Sequence, residues 1–225
     1  MKVAIFDIDG VLTKGFFIEE FWGHLASEGI IDKGLFERNL QNRKRYSRGE
    51  MSYIELLRTG MPTIAMAYKG AKQSDVKDAA RKFLQDNKPE LFDYTMPLIR
   101  MLKAKGVRLA AVSGSTTDLI ENYTQLMGLD EVHGTQFAVQ DGVYTGGIKV
   151  HMSLDLSKRN IVRGMSGEKV LGFGDSEQDL GILESVRVPV AMNPHKDLEM
   201  IAAKRKWAIL NDGDDVVEKV RELIS

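Results

Sequence analysis

The stretch Lys2-Val-Ala-Ile-Phe-Asp7-Ile-Asp9-Gly10-Val11-Leu-Thr13 restricts the fold more than any other part of the chain. Val3 to Phe6 form an unbroken apolar run, which reads as a strand covered on both faces, because such a strand needs no polar alternation. Strands of this kind belong to open α/β sheets, where ligands bind outside the carboxyl ends of the strands. Asp7 and Asp9 stand at that end. Two positions apart in extended backbone, they point the same way, and Gly10 frees the chain to turn. Carboxylates held this close repel each other, and the strain is relieved by protonating one or by a divalent cation. Asp-Ile-Asp-Gly would also serve as a plain strand-to-turn junction, so the rest of the sequence has to decide between the two readings.

After Thr13 the texture becomes helical. Phe17, Phe21, Trp22 and Leu25 recur at helical spacing, a second tract runs from Leu35 to Tyr46, Ser52 caps a helix through Leu57, and Ser74 caps one over Val76 to Leu84. Gly60-Met61-Pro62 and Lys69-Gly70 read as breaks. No strand pattern interrupts residues 15–86, so they are expected as a helical insert, with 1–14 and 87–225 forming an α/β core. In that core Pro97 opens a helix that stops at Gly106. Val107 to Val112 is a strand, and Ser113-Gly114-Ser115-Thr116 is a loop opening a helix to Met127. Gln136 to Gln140, Asp141-Gly142 and Val143 to Thr145 carry a strong hairpin signal. Ser157 caps a helix over Lys158 to Arg163, Val170 to Phe173 is a strand, Gly174-Asp175 opens a helix to Glu184, and Val188 to Met192 and Trp207 to Leu210 are further strands. The expected fold is α/β: a three-layer, Rossmann-like doubly wound parallel sheet with a helical domain inserted after the first strand and a β-hairpin extension.

This order puts Asp7, Asp9, Ser113, Asp175 and Asp179 at strand ends that converge if the sheet is parallel. Asp175 and Asp179, four apart, would share one face of a first helical turn. His24, His133, His151 and His195 are scattered and lack metal-ligand spacing. With 31 basic and 32 acidic residues the formal charge is −1, so no global field draws nucleic acid or acidic membranes. Arg43–Arg45 and Lys204–Lys206 read as solvated helix faces. The absence of cysteine removes disulfides and thiolate chemistry, and no apolar run approaches a membrane span. A cytoplasmic protein without nucleic-acid or membrane partners is expected; oligomeric state, a homodimer included, stays open.

Taken together, Asp7-x-Asp9-x-Val11, a strand ending in Ser113, a downstream lysine and Gly174-Asp175-x-x-x-Asp179 resemble, in order, the four motifs of the haloacid dehalogenase superfamily. The insert resembles that family's helical cap. The Gly134-Thr135 to Thr145-Gly146 hairpin and Val190-Ala191-x-Asn193-Pro194 are similar to its phosphoserine-phosphatase-like branch. The resemblance implies a phosphatase acting on a small phosphorylated metabolite. Asp7 would be the nucleophile, forming an aspartyl-phosphate, and Asp9 the general acid and base. Mg²⁺ would be held by Asp7, the backbone carbonyl of Asp9 and Asp175, with Asp179 in support. Ser113, the backbone N–H groups of Gly114 and Ser115 at a helix start, and Lys158 would bind the phosphoryl oxygens; Lys149 is the alternative lysine.

The leaving group is less legible. Phosphoserine phosphatases carry a glutamate seven positions after the second aspartate, and here that position is Phe16. Glu19, Glu20 and Arg48 are candidate substrate contacts or plain helix-surface charges. A phosphomutase would share the Asp7 chemistry, and a binding protein on an inactive scaffold would not need it. A phospho-acceptor signalling domain would lack the long helical insert.

Overall fold

The computed structural model describes residues 1–224. The chain forms two compact units: one comprises Met1–Phe17, Pro89–Gly134 and the chain from Met152 onward, the other Ile18–Lys88 and Thr135–His151. Strand β1 (Lys2–Phe6) leads into helices α1 (Phe17–Ser27), α2 (Lys33–Ser47), α3 (Tyr53–Ala67) and α4 (Gln73–Asp86). There follow α5 (Thr95–Ala104), β2 (Val107–Thr116), α6 (Thr117–Ile120), α7 (Tyr123–Met127), β3 (Glu131–Gln140), β4 (Val143–Val150) and α8 (Asp155–Gly164). The chain ends with β5 (Glu168–Gly174), a 3-10 turn (Glu177–Asp179), α9 (Leu180–Leu183), β6 (Val188–Met192), α10 (Lys196–Arg205), β7 (Ala208–Leu210) and α11 (Val216–Leu223).

The sheet has the order β4-β3-β2-β1-β5-β6-β7. β1 lies parallel to both β2 and β5, β5 is parallel to β6 and β6 to β7, and β3 pairs with β4 antiparallel. This is the expected α/β fold, a mostly parallel sheet with flanking helices. The chain winds outward from β1 in both directions, so the crevice at the carboxyl ends of β1 and β5 is the topological switch point. Asp7 follows the last residue of β1, and Asp175 follows the last of β5. Directly behind them Phe6 and Phe173, which are register partners, stack with ring centroids 4.6 Å apart. Val3 to Phe6 and Val170 to Phe173 are buried, as their unbroken apolar runs require.

In the second unit, α2 starts at Asp32, whose carboxylate accepts from Leu35 N, and α3 starts with a capping box between Ser52 and Glu55. Phe21 meets Phe83 across this unit, and Tyr68 sits edge-on to Phe137 and Tyr144. Tyr144 also exchanges backbone hydrogen bonds with the chain after α3, accepting from Gly70 N at 2.9 Å and donating to Ala71 O at 2.9 Å. These contacts group 135–151 with the helices, whereas the sequence pattern places the hairpin in the core. The hairpin turn itself is as expected: Asp141 and Gly142 both take positive φ, 52° and 77°.

Several boundaries differ from the sequence reading. Gly60-Met61-Pro62 does not end a helix but lies inside α3. The proline removes one hydrogen bond, and burial of Ile64, Ala65 and Ala67 beyond it holds the last turn regardless. Ser74 and Ser157 sit inside helices that begin earlier, after Lys72 and Leu154. β2 runs on through Ser113 to Thr116 instead of opening a loop, and the helix expected after it is two short ones. Gly134 permits the longer strand: a Cβ there would lie 2.6 Å from Ser115 O.

Because α3 holds despite Pro62, Pro62→Ala should raise stability by about 1–2 kcal/mol, the restored bond and relieved ring clash outweighing the greater freedom of the unfolded chain. Chemical denaturation checks this; a variant no more stable than the parent would mean that the helix is already built around the proline.

Candidate active site

Asp7 is placed by the sheet. Its backbone N–H donates to Phe173 O at 3.0 Å, extending the β1–β5 ladder by one residue past Phe6. The chain then turns: Ile8 O accepts from the N–H groups of Val11, Leu12 and Thr13, and Gly10 N donates to Thr13 O. Gly10 takes φ +81°, and a Cβ built there would stand 2.1 Å from Asp175 Oδ2. Only glycine lets the turn after β1 approach the loop after β5 this closely. Asp9, within that turn, accepts from Ser115 Oγ at 2.9 Å and from Thr13 Oγ1 at 3.4 Å. Ser113, fully buried within β2, accepts from Ser115 N at 3.1 Å.

Lys158 comes from the first turn of α8 and is 3% exposed. Its ammonium donates to Asp7 Oδ1 at 2.8 Å and to Asp179 Oδ1 at 2.6 Å. The other oxygen of Asp179 accepts from Asp175 N at 3.0 Å, Ser176 N at 3.1 Å and Ser176 Oγ at 3.2 Å. Asp175 and Asp179 therefore meet because the loop folds back onto the Asp179 carboxylate, not because they share a face of an α-helix; Asp175 precedes a 3-10 turn that Asp179 ends. Gly174 makes room, since a Cβ there would lie 2.3 Å from Asp179 Cβ.

Burial first, then the carboxylates of Asp179 and Asp9, push the Asp7 pKa up to about 7 against the opposing pull of Lys158. Burial, followed by Asp179 and Asp7, pushes Asp175 up to about 9. For Lys158 burial works against the charge, yet Asp179 and Asp7 raise its pKa well above the ordinary value and keep it an ammonium. One carboxylate oxygen from each of Asp7, Asp175 and Asp179 lies within 4.8 Å of the others. Three buried acids against a single ammonium suit a divalent cation, and the oxygen-only donor set suits a hard one. Asp179 already spends both oxygens on hydrogen bonds, so Asp7 and Asp175 are the better-placed direct ligands. Asp9's carboxylate is not in this group.

The structure thus assembles Asp7, Asp9, Ser113, Lys158, Asp175 and Asp179 around one crevice, with Gly114 half-buried beside Ser113. Lys149 is exposed on β4 in the other unit. Gly114 and Ser115 lie on a strand, not at a helix start, and Ser115 N is engaged by Ser113. Phe16 is 56% exposed, Glu19 pairs with Arg43, and Glu20 and Arg48 are exposed. Sequence reasoning missed the Ser115 hydroxyl, although its spacing of two from Ser113 would place both on one face once β2 is extended. It also passed over His195, whose backbone N–H donates to Asp175 O at 2.8 Å and whose Nε2 lies 3.7 Å from Asp175 Oδ2.

Without a divalent cation, folded pKa values of about 7 and about 9 lie above the ordinary 3.8, so the folded protein holds protons that the unfolded chain releases. The stability this gives is complete below pH 4 and is lost as pH rises through 7 towards 9. Asp175→Asn removes the more strongly shifted acid and should melt roughly 3 °C above the parent at pH 9 in chelator. Equal melting temperatures by calorimetry would contradict this reading.

Comparison with known proteins agrees with this geometry. The family model described as haloacid dehalogenase-like hydrolase matches residues 4–184. A histidinol-phosphatase from Neisseria meningitidis serogroup C is 26% identical over 227 residues, covering 93% of this chain and 98% of the relative. A phosphoserine phosphatase from Archaeoglobus fulgidus is 26% identical over 207 residues, covering 89% of this chain and 55% of the relative. A solved phosphoserine phosphatase, with an analogue of its phospho-aspartyl intermediate, superposes with a TM-score of 0.64 at 20% identity over 98% of each chain. With the family's motifs gathered in one crevice on its fold, the chain belongs to the haloacid dehalogenase-like hydrolases and is an enzyme of that family, built on the fold of its phosphoserine-phosphatase-like branch.

Proposed function

We propose that the chain hydrolyses a small phosphate monoester through an aspartyl-phosphate on Asp7, with Mg²⁺ as the resident cation. The observation that carries the reading is the buried Lys158 ammonium bridging Asp7 and Asp179 at the switch point. An ammonium locked there is a fixed positive charge beside the nucleophile, and phosphoryl transfer depends on such positioning and charge neutralisation.

Asp7 attacks phosphorus, the bond to the leaving oxygen breaks, and Asp9 gives that oxygen its proton. Water then attacks the aspartyl-phosphate, Asp9 takes the proton, phosphate leaves and Asp7 is restored. The Ser115 and Thr13 hydroxyls hold the Asp9 carboxylate in one orientation for both proton transfers. Ser113, Gly114 and Lys158 bind the phosphoryl oxygens. Mg²⁺, held by Asp7, the Asp9 carbonyl and Asp175 with Asp179 behind them, would neutralise the clustered acids and polarise a phosphoryl oxygen.

For the leaving group, a histidinol-phosphatase matches this chain along nearly its whole length. Phe16 offers an exposed aromatic face where phosphoserine phosphatases carry a glutamate to read the substrate's amine. An aromatic face stacks on a planar ring such as the imidazole of histidinol, a group that serine lacks. Histidinol phosphate is therefore ranked above phosphoserine.

Phosphate release from histidinol phosphate, phosphoserine, sugar phosphates and an aryl phosphate, with Mg²⁺ and with excess chelator, tests the proposal. Metal-dependent release, fastest for histidinol phosphate and reduced at least about a thousandfold by Asp7→Asn, is the outcome expected. An isomeric product without free phosphate would identify a mutase, and no turnover in any condition would overturn the reading.

A further inference from the structure

The turn that carries Asp9 closes on itself, through the bonds onto Ile8 O and from Gly10 N to Thr13 O. Its outward carbonyls are nevertheless capped from elsewhere in the same unit. Asn193 Nδ2 donates to Gly10 O at 3.2 Å and to Tyr94 Oη at 2.9 Å, and Tyr94 Oη in turn donates to Val11 O at 2.6 Å. Thr95 Oγ1 donates to the next carbonyl, Leu12 O, at 2.8 Å. The side-chain amide of asparagine has two N–H donors, and both are used here.

Asn193 is held for this task. It follows β6 at φ +45°, a left-handed conformation that asparagine tolerates better than most residues, and its own N–H is tied to Leu210 O at 2.8 Å. Pro194 stiffens the next position. Then His195 N donates to Asp175 O at 2.8 Å. Two residues of one short segment thus grip both carboxylate-bearing loops, the one after β1 through the Asn193 side chain and the one after β5 through the His195 backbone.

We infer that Asn193 and Tyr94 are positioning residues of this site, which bracket the turn 8–13 against the loop after β5 and so set the spacing of Asp7 and Asp9 from Asp175. The turn's own hydrogen bonds shape it; the bracket fixes where the turn stands and keeps it from opening. What that spacing serves rests on the function proposed above.

Three variants separate the contributions. Asn193→Gly keeps the left-handed backbone and removes the amide, Asn193→Asp keeps the backbone and replaces donors with acceptors, and Tyr94→Phe removes the hydroxyl. Mg²⁺ affinity by titration calorimetry should fall roughly tenfold in each. On an aryl phosphate kcat should fall with KM unchanged, and Asn193→Gly combined with Tyr94→Phe should be little worse than either alone. Amide exchange should quicken at Gly10 and Thr13 while β1 and β5 keep their protection. Parental Mg²⁺ affinity with unchanged exchange in the turn would overturn the inference, as would exchange raised equally throughout β1 and β5. If the parent protein neither binds Mg²⁺ nor releases phosphate, the proposed function fails, and exchange at Gly10 and Thr13 still decides for or against the bracket.

Discussion

The structure depends on crowding three carboxylates and one ammonium into a buried crevice. Asp7, Asp175 and Asp179 are each nearly or fully buried, and Lys158 touches two of them. Desolvating such a set is costly, and a buried ion pair stabilises a fold only where every remaining donor and acceptor is satisfied. Asp179 meets that condition, with Lys158 on one oxygen and two backbone N–H groups and a hydroxyl on the other. For Asp7 and Asp175 burial and the neighbouring carboxylates outweigh the pull of Lys158, and their raised proton affinities express the imbalance. Perturbed acids of this kind cluster at functional sites because chemistry uses the imbalance.

Everything around the crevice lets the charges come this close. The parallel ladder from Phe6 to Asp7 and the stacked Phe6 and Phe173 rings give the carboxylates a rigid apolar floor. Gly10 and Gly174 remove the Cβ atoms that would otherwise collide with Asp175 and Asp179. The winding of the chain away from β1 on both sides opens the switch point where these loops meet.

Much of this was legible in the sequence. The apolar run before Asp7, the Asp141-Gly142 turn, the Ser52 cap and the order of strands and helices each follow from local rules, and the site acids are recognisable by their places at strand ends. What was not legible depends on tertiary contact. Nothing local announces that β2 continues past Ser113, because the close approach of Gly134 makes that possible. The convergence of Asp175 and Asp179 was anticipated, but through the wrong geometry: a loop capped by its own carboxylate looks like an i, i+4 pair in sequence. Ser115, Tyr94 and Asn193 act from 80 or more positions away in the chain, on Asp9, Val11 and Gly10, while the His195 backbone acts on the loop about twenty positions before it. Pro62 was read as a break because its local cost is plain, while the burial that outweighs it is not.

The central claim is that Asp7 is the nucleophile that accepts the phosphoryl group, and locating that group on the protein during turnover tests it most directly. Protein mixed with Mg²⁺ and a phosphate monoester, quenched in acid within the first turnover and mapped by peptide mass spectrometry should carry one phosphoryl group, on Asp7. Turnover with Asp7 unmodified in the first cycle, or with the phosphoryl group on Ser113 or another residue, would contradict the claim.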